Sequence, residues 1–162
     1  LGLNSLTVGL FGAAGVVCSP ELTLDEVARL TTGAAPAVEA LVFGREQVLV
    51  SRDTLGLAEG LGAAATEDGP AATLALTLTD ARGYAFPVLV AAGETRVFNS
   101  RVTNLCGRMA DLVAAGIRGA IVAQADLSAD EGAAFVRAGL NGLAAFDDRA
   151  RFTTGHLYRG VA

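Results

Sequence analysis

The hydrophobic pattern of this chain changes period several times, and that restricts what the chain can build. From Val16 to Ser51, short apolar runs alternate with a helical pattern; from Thr73 to Phe98 the alternation has period 2; after Val102 helical and strand patterns return. Apolar residues at a period near 3.6 line one face of a helix, and those at period 2 line one face of a strand. The order therefore predicts βα units interrupted by a small antiparallel insertion, an α/β chain.

Local signals place the elements. Leu6 to Ala13 reads as a short helix ending at Gly15, followed by a strand at Val16-Val17-Cys18. Thr23 with Glu26 three residues later forms a capping-box pattern. The helix it starts is predicted to run to about Thr31, with Leu24, Val27, Ala28 and Leu30 inward and Asp25, Glu26 and Arg29 outward. Ala37 to Phe43 and Gln47 to Ser51 are the next two predicted strands, and β-α-β with short connections implies parallel pairing. Gly56 to Pro70 is Gly/Ala-rich and reads as a loop. Thr73–Thr79, Tyr84–Val90 and Thr95–Phe98 then form strands about the turns Asp80-Ala81-Arg82-Gly83 and Ala91-Ala92-Gly93-Glu94. Val102 to Ala115 predicts a helix carrying Leu105, Met109, Leu112 and Val113 on one face and ending at Gly116. Ala120–Ala123 predicts a strand, Ser128 and Glu131 cap a helix ending near Gly139, and Leu143–Phe146 reads as a last strand. The resulting division is 1–55 βα units, 56–72 loop, 73–100 hairpin insertion, 101–146 βα units and 147–162 polar tail.

Three or four βα units cannot close a (β/α)8 barrel, which takes about 250 residues and eight strands. The sequence of 162 residues reads as part of one, a partial TIM-like barrel with an inserted antiparallel β-hairpin element. A half barrel leaves parallel strand edges unpaired, a route to association. The expected partners are therefore a missing N-terminal half, a partner subunit or a second copy of the chain. The chain starts at Leu1 without a Met, which points to a fragment or a processed chain.

Composition narrows the function classes. With 52% hydrophobic and 18% charged residues the sequence is globular. No apolar run approaches the roughly 20 residues of a membrane span, so no membrane partner is expected. The apolar N-terminus lacks the basic segment of a signal peptide. All twelve basic residues are Arg, a codon bias of a GC-rich genome. A net charge of −5 argues against nucleic acid as a partner for this segment alone. Cys18 and Cys106 stand far apart without a CxxC pattern and read as buried free thiols of a cytoplasmic protein.

Five blocks stand in fixed order: VVCSPELTLDEV (16–27), EALVFGREQVLVSRD (39–53), LTDARGYAFPVL (78–89), TRVFNS (95–100) and TTGHLYRGV (153–161). In combination they resemble the collagenase-like peptidases, the peptidase family of unknown catalytic type numbered thirty-two. The resemblance runs from Leu3-Asn4-Ser5 to the end of the chain. It implies the later strands and terminal tail of a TIM-barrel-like catalytic domain. It also implies a choice of activity: peptidase or collagenase, or oxygen-independent hydroxylation of RNA or ubiquinone precursors by relatives with a four-cysteine iron–sulfur cluster. The family pattern puts those cysteines after the VLVS run, in the next loop and before TRVFNS. Here the matching positions are Asp53-Thr54-Leu55, 60–65 and Gly93-Glu94, with no cysteine between Ser51 and Ser100. Cys18 and Cys106 cannot supply a four-thiolate site, so no cofactor is expected.

Candidate site residues follow from position. Glu21 comes just after a strand's C-terminal end, where barrels place their chemistry, and is either a catalytic carboxylate or part of the turn before Thr23. Glu39 interrupts an apolar strand and is a second catalytic candidate, or half of an ion pair with Arg45. His156, the one histidine, is a general-base candidate or a seal at the barrel's end. Arg45, Asn99, Ser100, Tyr158 and Arg159 are the candidate substrate-binding residues, and no metal ligand set is present. Asp80, Arg82 and Gly83 read as a structural turn. No nucleophile elbow or HExxH pattern accompanies Ser19, Ser51 or Ser100. The expected function is a collagenase-like peptidase without the cluster cysteines; the alternative is a non-catalytic module or a subunit partner of a hydroxylation factor.

Overall fold

The computed structural model describes residues 15–32, 36–53, 56, 74–91, 93–123, 127–139, 148 and 150–159. The helix expected at Leu6–Ala13 and the strand expected at Leu143–Phe146 lie outside them, as does nearly all of the 56–72 loop. The chain is α/β and divides into two compact units. One comprises Leu1–Gly44 with Arg101–Ala162, and the other Arg45–Ser100.

The first unit is built on β1 (Gly15–Val17), α1 (Leu24–Thr31), β2 (Ala37–Gly44) and β7 (Val102–Asn104), followed by α2 (Met109–Ala114), β8 (Ile117–Val122), α3 (Ala129–Ala138) and β9 (Phe152–Thr153). Strand β2 lies between β1 and β8 and is parallel to both, so these three strands stand side by side in chain order. Among the described residues they do not close a barrel.

One sheet face explains the core. Val38, Ala40 and Val42 of β2 pack with Val27 and Leu30 of α1, Leu112 and Ala115 beside α2, and Ile117 of β8. Phe135 of α3 joins the same cluster. α1 forms where the sequence predicts it: the Thr23 hydroxyl accepts the Glu26 N–H while the Glu26 carboxylate accepts the Thr23 N–H at 2.8 Å. Thr31 donates to the Ala115 carbonyl at 2.8 Å, which ties the end of α1 to the end of α2. Gly44 sits at φ 135°, and a Cβ there would lie 2.4 Å from that of Ala123. Only glycine lets the ends of β2 and β8 approach this closely.

Three sequence expectations are corrected here. Val102 to Ala115 is not one helix. Val102 and Thr103 are buried β-branched residues in a strand antiparallel to the end of β2. Asn104 Oδ1 then accepts the Cys106 N–H, a 3₁₀ turn follows over Cys106–Arg108, and the α-helix begins only at Met109. The polar tail, secondly, is partly core: β9 pairs parallel to β7, Phe152 is 8% exposed, and its ring lies 6.0 Å from Phe43. The third concerns β3 (Gln47–Ser51), which is not a parallel partner of β2. Two residues separate β2 from β3, too few for a crossover connection.

β3 belongs to the second unit, whose sheet has the order β3-β6-β5-β4 with every pairing antiparallel. The other strands are β4 (Leu74–Thr79), β5 (Ala85–Ala91) and β6 (Glu94–Phe98). Val88, Val90 and Val97 form its core, with Leu76 and Phe86 against them. In the β4–β5 turn, Asp80 Oδ1 accepts the N–H groups of Arg82 and Tyr84, each at 2.9 Å. That bond pattern gives Asp80 its turn role.

Candidate functional site

The strand end after β1 is a tight turn. Ser19 is buried; its carbonyl accepts the Leu22 N–H and its hydroxyl accepts the Glu21 N–H at 3.3 Å. This leaves the Glu21 side chain exposed beside the start of α1. The Leu24 N–H donates to the Leu157 carbonyl at 3.0 Å, so the turn after SPEL is joined directly to the HLYR turn. Two candidate blocks far apart in sequence thus meet, with Glu21 three residues from the link and His156 one.

Tyr158 serves as an anchor. Its hydroxyl donates to Asp111 Oδ2 at 2.6 Å, and the Arg108 guanidinium lies 5.4 Å from its ring centre. Burial, and then the Asp111 hydrogen bond, raise the Tyr158 pKa above the ordinary phenol value. Arg159 is exposed, and its N–H donates to the His156 carbonyl.

Glu39 occupies a different setting, the sheet face opposite the core. It is in register with Val17 on one side and Gly119 on the other, and Leu41 and Ile121 share that face. A Cβ on Gly119 would lie 2.6 Å from Glu39 Cγ, and one on Gly15 would lie 3.8 Å from its Oε1. The side chain therefore lies across the sheet in space that Gly119 leaves open, while a Cβ on Gly15 would meet it only in ordinary contact. Among the described residues it makes no hydrogen bond or ion pair, and it is half-buried. A carboxylate so placed can accept N–H groups or take a proton from water.

Arg45, Asn99 and Ser100 lie in the second unit and act together there. Arg45 Nη1 donates to the Asn99 carbonyl at 2.8 Å and to the Ser100 carbonyl at 2.7 Å. The Asn99 N–H donates to the Glu46 carbonyl at 2.8 Å. The guanidinium thus fastens the two ends of the inserted unit.

Both cysteines are free and buried. Burial raises the Cys18 pKa and pushes that of Cys106 up to about 11, so neither is a ready nucleophile near neutral pH. Among the described residues no group of three His, Cys, Asp or Glu side chains could hold a metal ion. None of their helices is long and apolar enough to cross a membrane.

Sequence reading placed Ser19 in the turn before Thr23, as observed, and missed Asp111 and Gly119. Gly119 carried a signal, since a glycine inside a strand often marks close approach by a neighbour. Asp111 carried none, because its partner lies 47 residues away. Comparisons with family models, curated proteins and solved structures find no match to this chain.

Proposed function

We propose that this chain is the later part of a TIM-like barrel, and that the sheet face around Glu39 binds a peptide as a peptidase of the collagenase-like type would. One arrangement carries the reading: three parallel strands in chain order, helices packed on one face, and Glu39 over Gly119 on the other. In a barrel the face away from the helices points to the axis; Glu39, the third of the eight residues of β2, stands on that face beside Val17, the last residue of β1. Glu39 supplies a carboxylate for an amide N–H or a terminal ammonium, and Val17, Leu41 and Ile121 give apolar contact beside it. Glu21 and His156 near the first strand end are the further acid–base candidates. The family resemblance of the ordered blocks supports the same reading.

A second reading, a binding module that does not cleave, is favoured by one observation. Glu39 has no other titratable group bonded to it among the described residues. Calorimetric titration with gelatin-derived peptides tests the shared premise of both readings. The wild type binds, and Glu39→Gln weakens binding about tenfold or more, the magnitude of one hydrogen bond to a charged group. Equal binding by the two proteins would overturn both.

A further inference from the structure

The segment Arg45 to Asp53 reads with opposite charge from its two ends: Arg-Glu-Gln-Val-Leu-Val-Ser-Arg-Asp. Antiparallel pairing of this segment with a copy of itself, centred on Leu49, sets Arg45 opposite Asp53, Glu46 opposite Arg52, Gln47 opposite Ser51 and Val48 opposite Val50. Arg45 meets Asp53 of the other copy, while Glu46, 9% exposed, is held within its own chain and adds little to the pairing. Sliding the register by one residue puts Arg45 opposite Arg52 or Glu46 opposite Asp53, and like charges directly opposite are destabilising. The charges thus select one register even though Arg45, Glu46 and Asp53 also have partners within their own chain.

The structure supplies the edge that such pairing needs. β3 stands at the end of the β3-β6-β5-β4 sheet and pairs only with β6 among the described residues. Val48, Leu49 and Val50 are 54%, 46% and 54% exposed, an apolar run with neither Pro nor an inward charge to blunt the edge. Leu49 is in register with buried Val97, at the rim of the Val88-Val90-Val97 core. A second Leu49 laid against it would extend that core across the edge. The opposite edge strand, β4, is the uncharged LALTLT and carries no register information.

We propose that β3 is the docking edge for a second copy of this chain, which pairs antiparallel about Leu49 to join two four-stranded sheets into one of eight strands. The strand spans five residues, and the β3–β6 register shifts between Gln47 and Leu49, so the contact is small. Its dissociation constant belongs in the micromolar range or above, typical of interfaces below the standard size.

Single cysteines test both the contact and the register, with far-UV circular dichroism confirming each fold. Leu49→Cys meets its own copy at the two-fold axis, at a separation a disulfide can bridge. It is expected to form a dimer on air oxidation at least tenfold faster than Val48→Cys or Val50→Cys alone. Mixing those two variants restores cross-linking, and this mixture carries the test if Leu49→Cys does not fold. The wild type, whose cysteines are buried, stays uncross-linked. Sedimentation is expected to show a dimer that Val50→Lys weakens at least tenfold. A wild type monomeric to about 1 mM, or equal cross-linking by all three single variants, would overturn the proposal.

Discussion

Glu39 is placed by a residue that has no side chain. Gly119 lies beside it in the neighbouring strand and leaves room for the carboxylate to lie across the sheet. The expected outcome of Gly119→Ala is a loss of about 1–3 kcal/mol, because the new methyl group would overlap Glu39 Cγ rather than a flexible chain end. In a Glu39→Ala background the same substitution is expected to cost less than half as much. Urea denaturation of the four proteins of this double-mutant cycle measures the difference, and equal costs would refute the overlap. Legibility at this scale depended on how far each cause lay along the chain. A polar residue inside AVEALVF was visible as an anomaly; the glycine inside IRGAIV was not, because the strand was expected to begin only at Ala120. That the two touch is a consequence of strand register, which neither segment states by itself. Arg45 shows the opposite outcome: its position after β2 was legible, but its attachment to the Asn99 and Ser100 carbonyls depends on a fold across 54 residues.

Among the elements, the helices with capping boxes were read well because their signals are local. Thr23 with Glu26 and Ser128 with Glu131 both make reciprocal caps. Glu131 has a second role, since both its oxygens accept hydrogen bonds from Arg151, the residue before Phe152. Those bonds, and the Ser128 N–H, hold its pKa at about 2, below the ordinary 4.5. A carboxylate depressed in the folded state contributes stability above its ordinary pKa and loses it as pH falls towards the folded value. Thermal stability is therefore expected to drop between about pH 4.5 and pH 2 partly through this group. Glu131→Gln should remove about 1 kcal/mol at pH 7 and flatten that acid slope; an unchanged slope would contradict the assignment. The failures of reading were short strands paired at long range. Val102–Asn104 and Phe152–Thr153 are each too short to show a period, and they are strands because the first pairs with the end of β2 and the second with the first. Phe152→Ala is expected to cost about 3–5 kcal/mol, as for a buried ring against Phe43, and denaturant unfolding checks it. A cost below about 1 kcal/mol would mean that the tail does not belong to the core.

For the whole molecule, the sequence pattern carried the α/β class and the presence of an antiparallel insertion. It did not carry the point at which the insertion begins. β3 resembles another core strand in composition, and only the two-residue link after Gly44 separates it from the βα series. The parallel strands β1, β2 and β8, with helices against one face and a carboxylate on the other, support the reading of a barrel wall that meets a peptide. Mass spectrometry of new peptide termini after incubation with gelatin tests that reading most directly, with the wild type and Glu39→Gln compared at equal concentration and matched circular dichroism. The account predicts cleavage by the wild type and at least a hundredfold less by Glu39→Gln. Cleavage by neither protein, or equal cleavage by both, would contradict it.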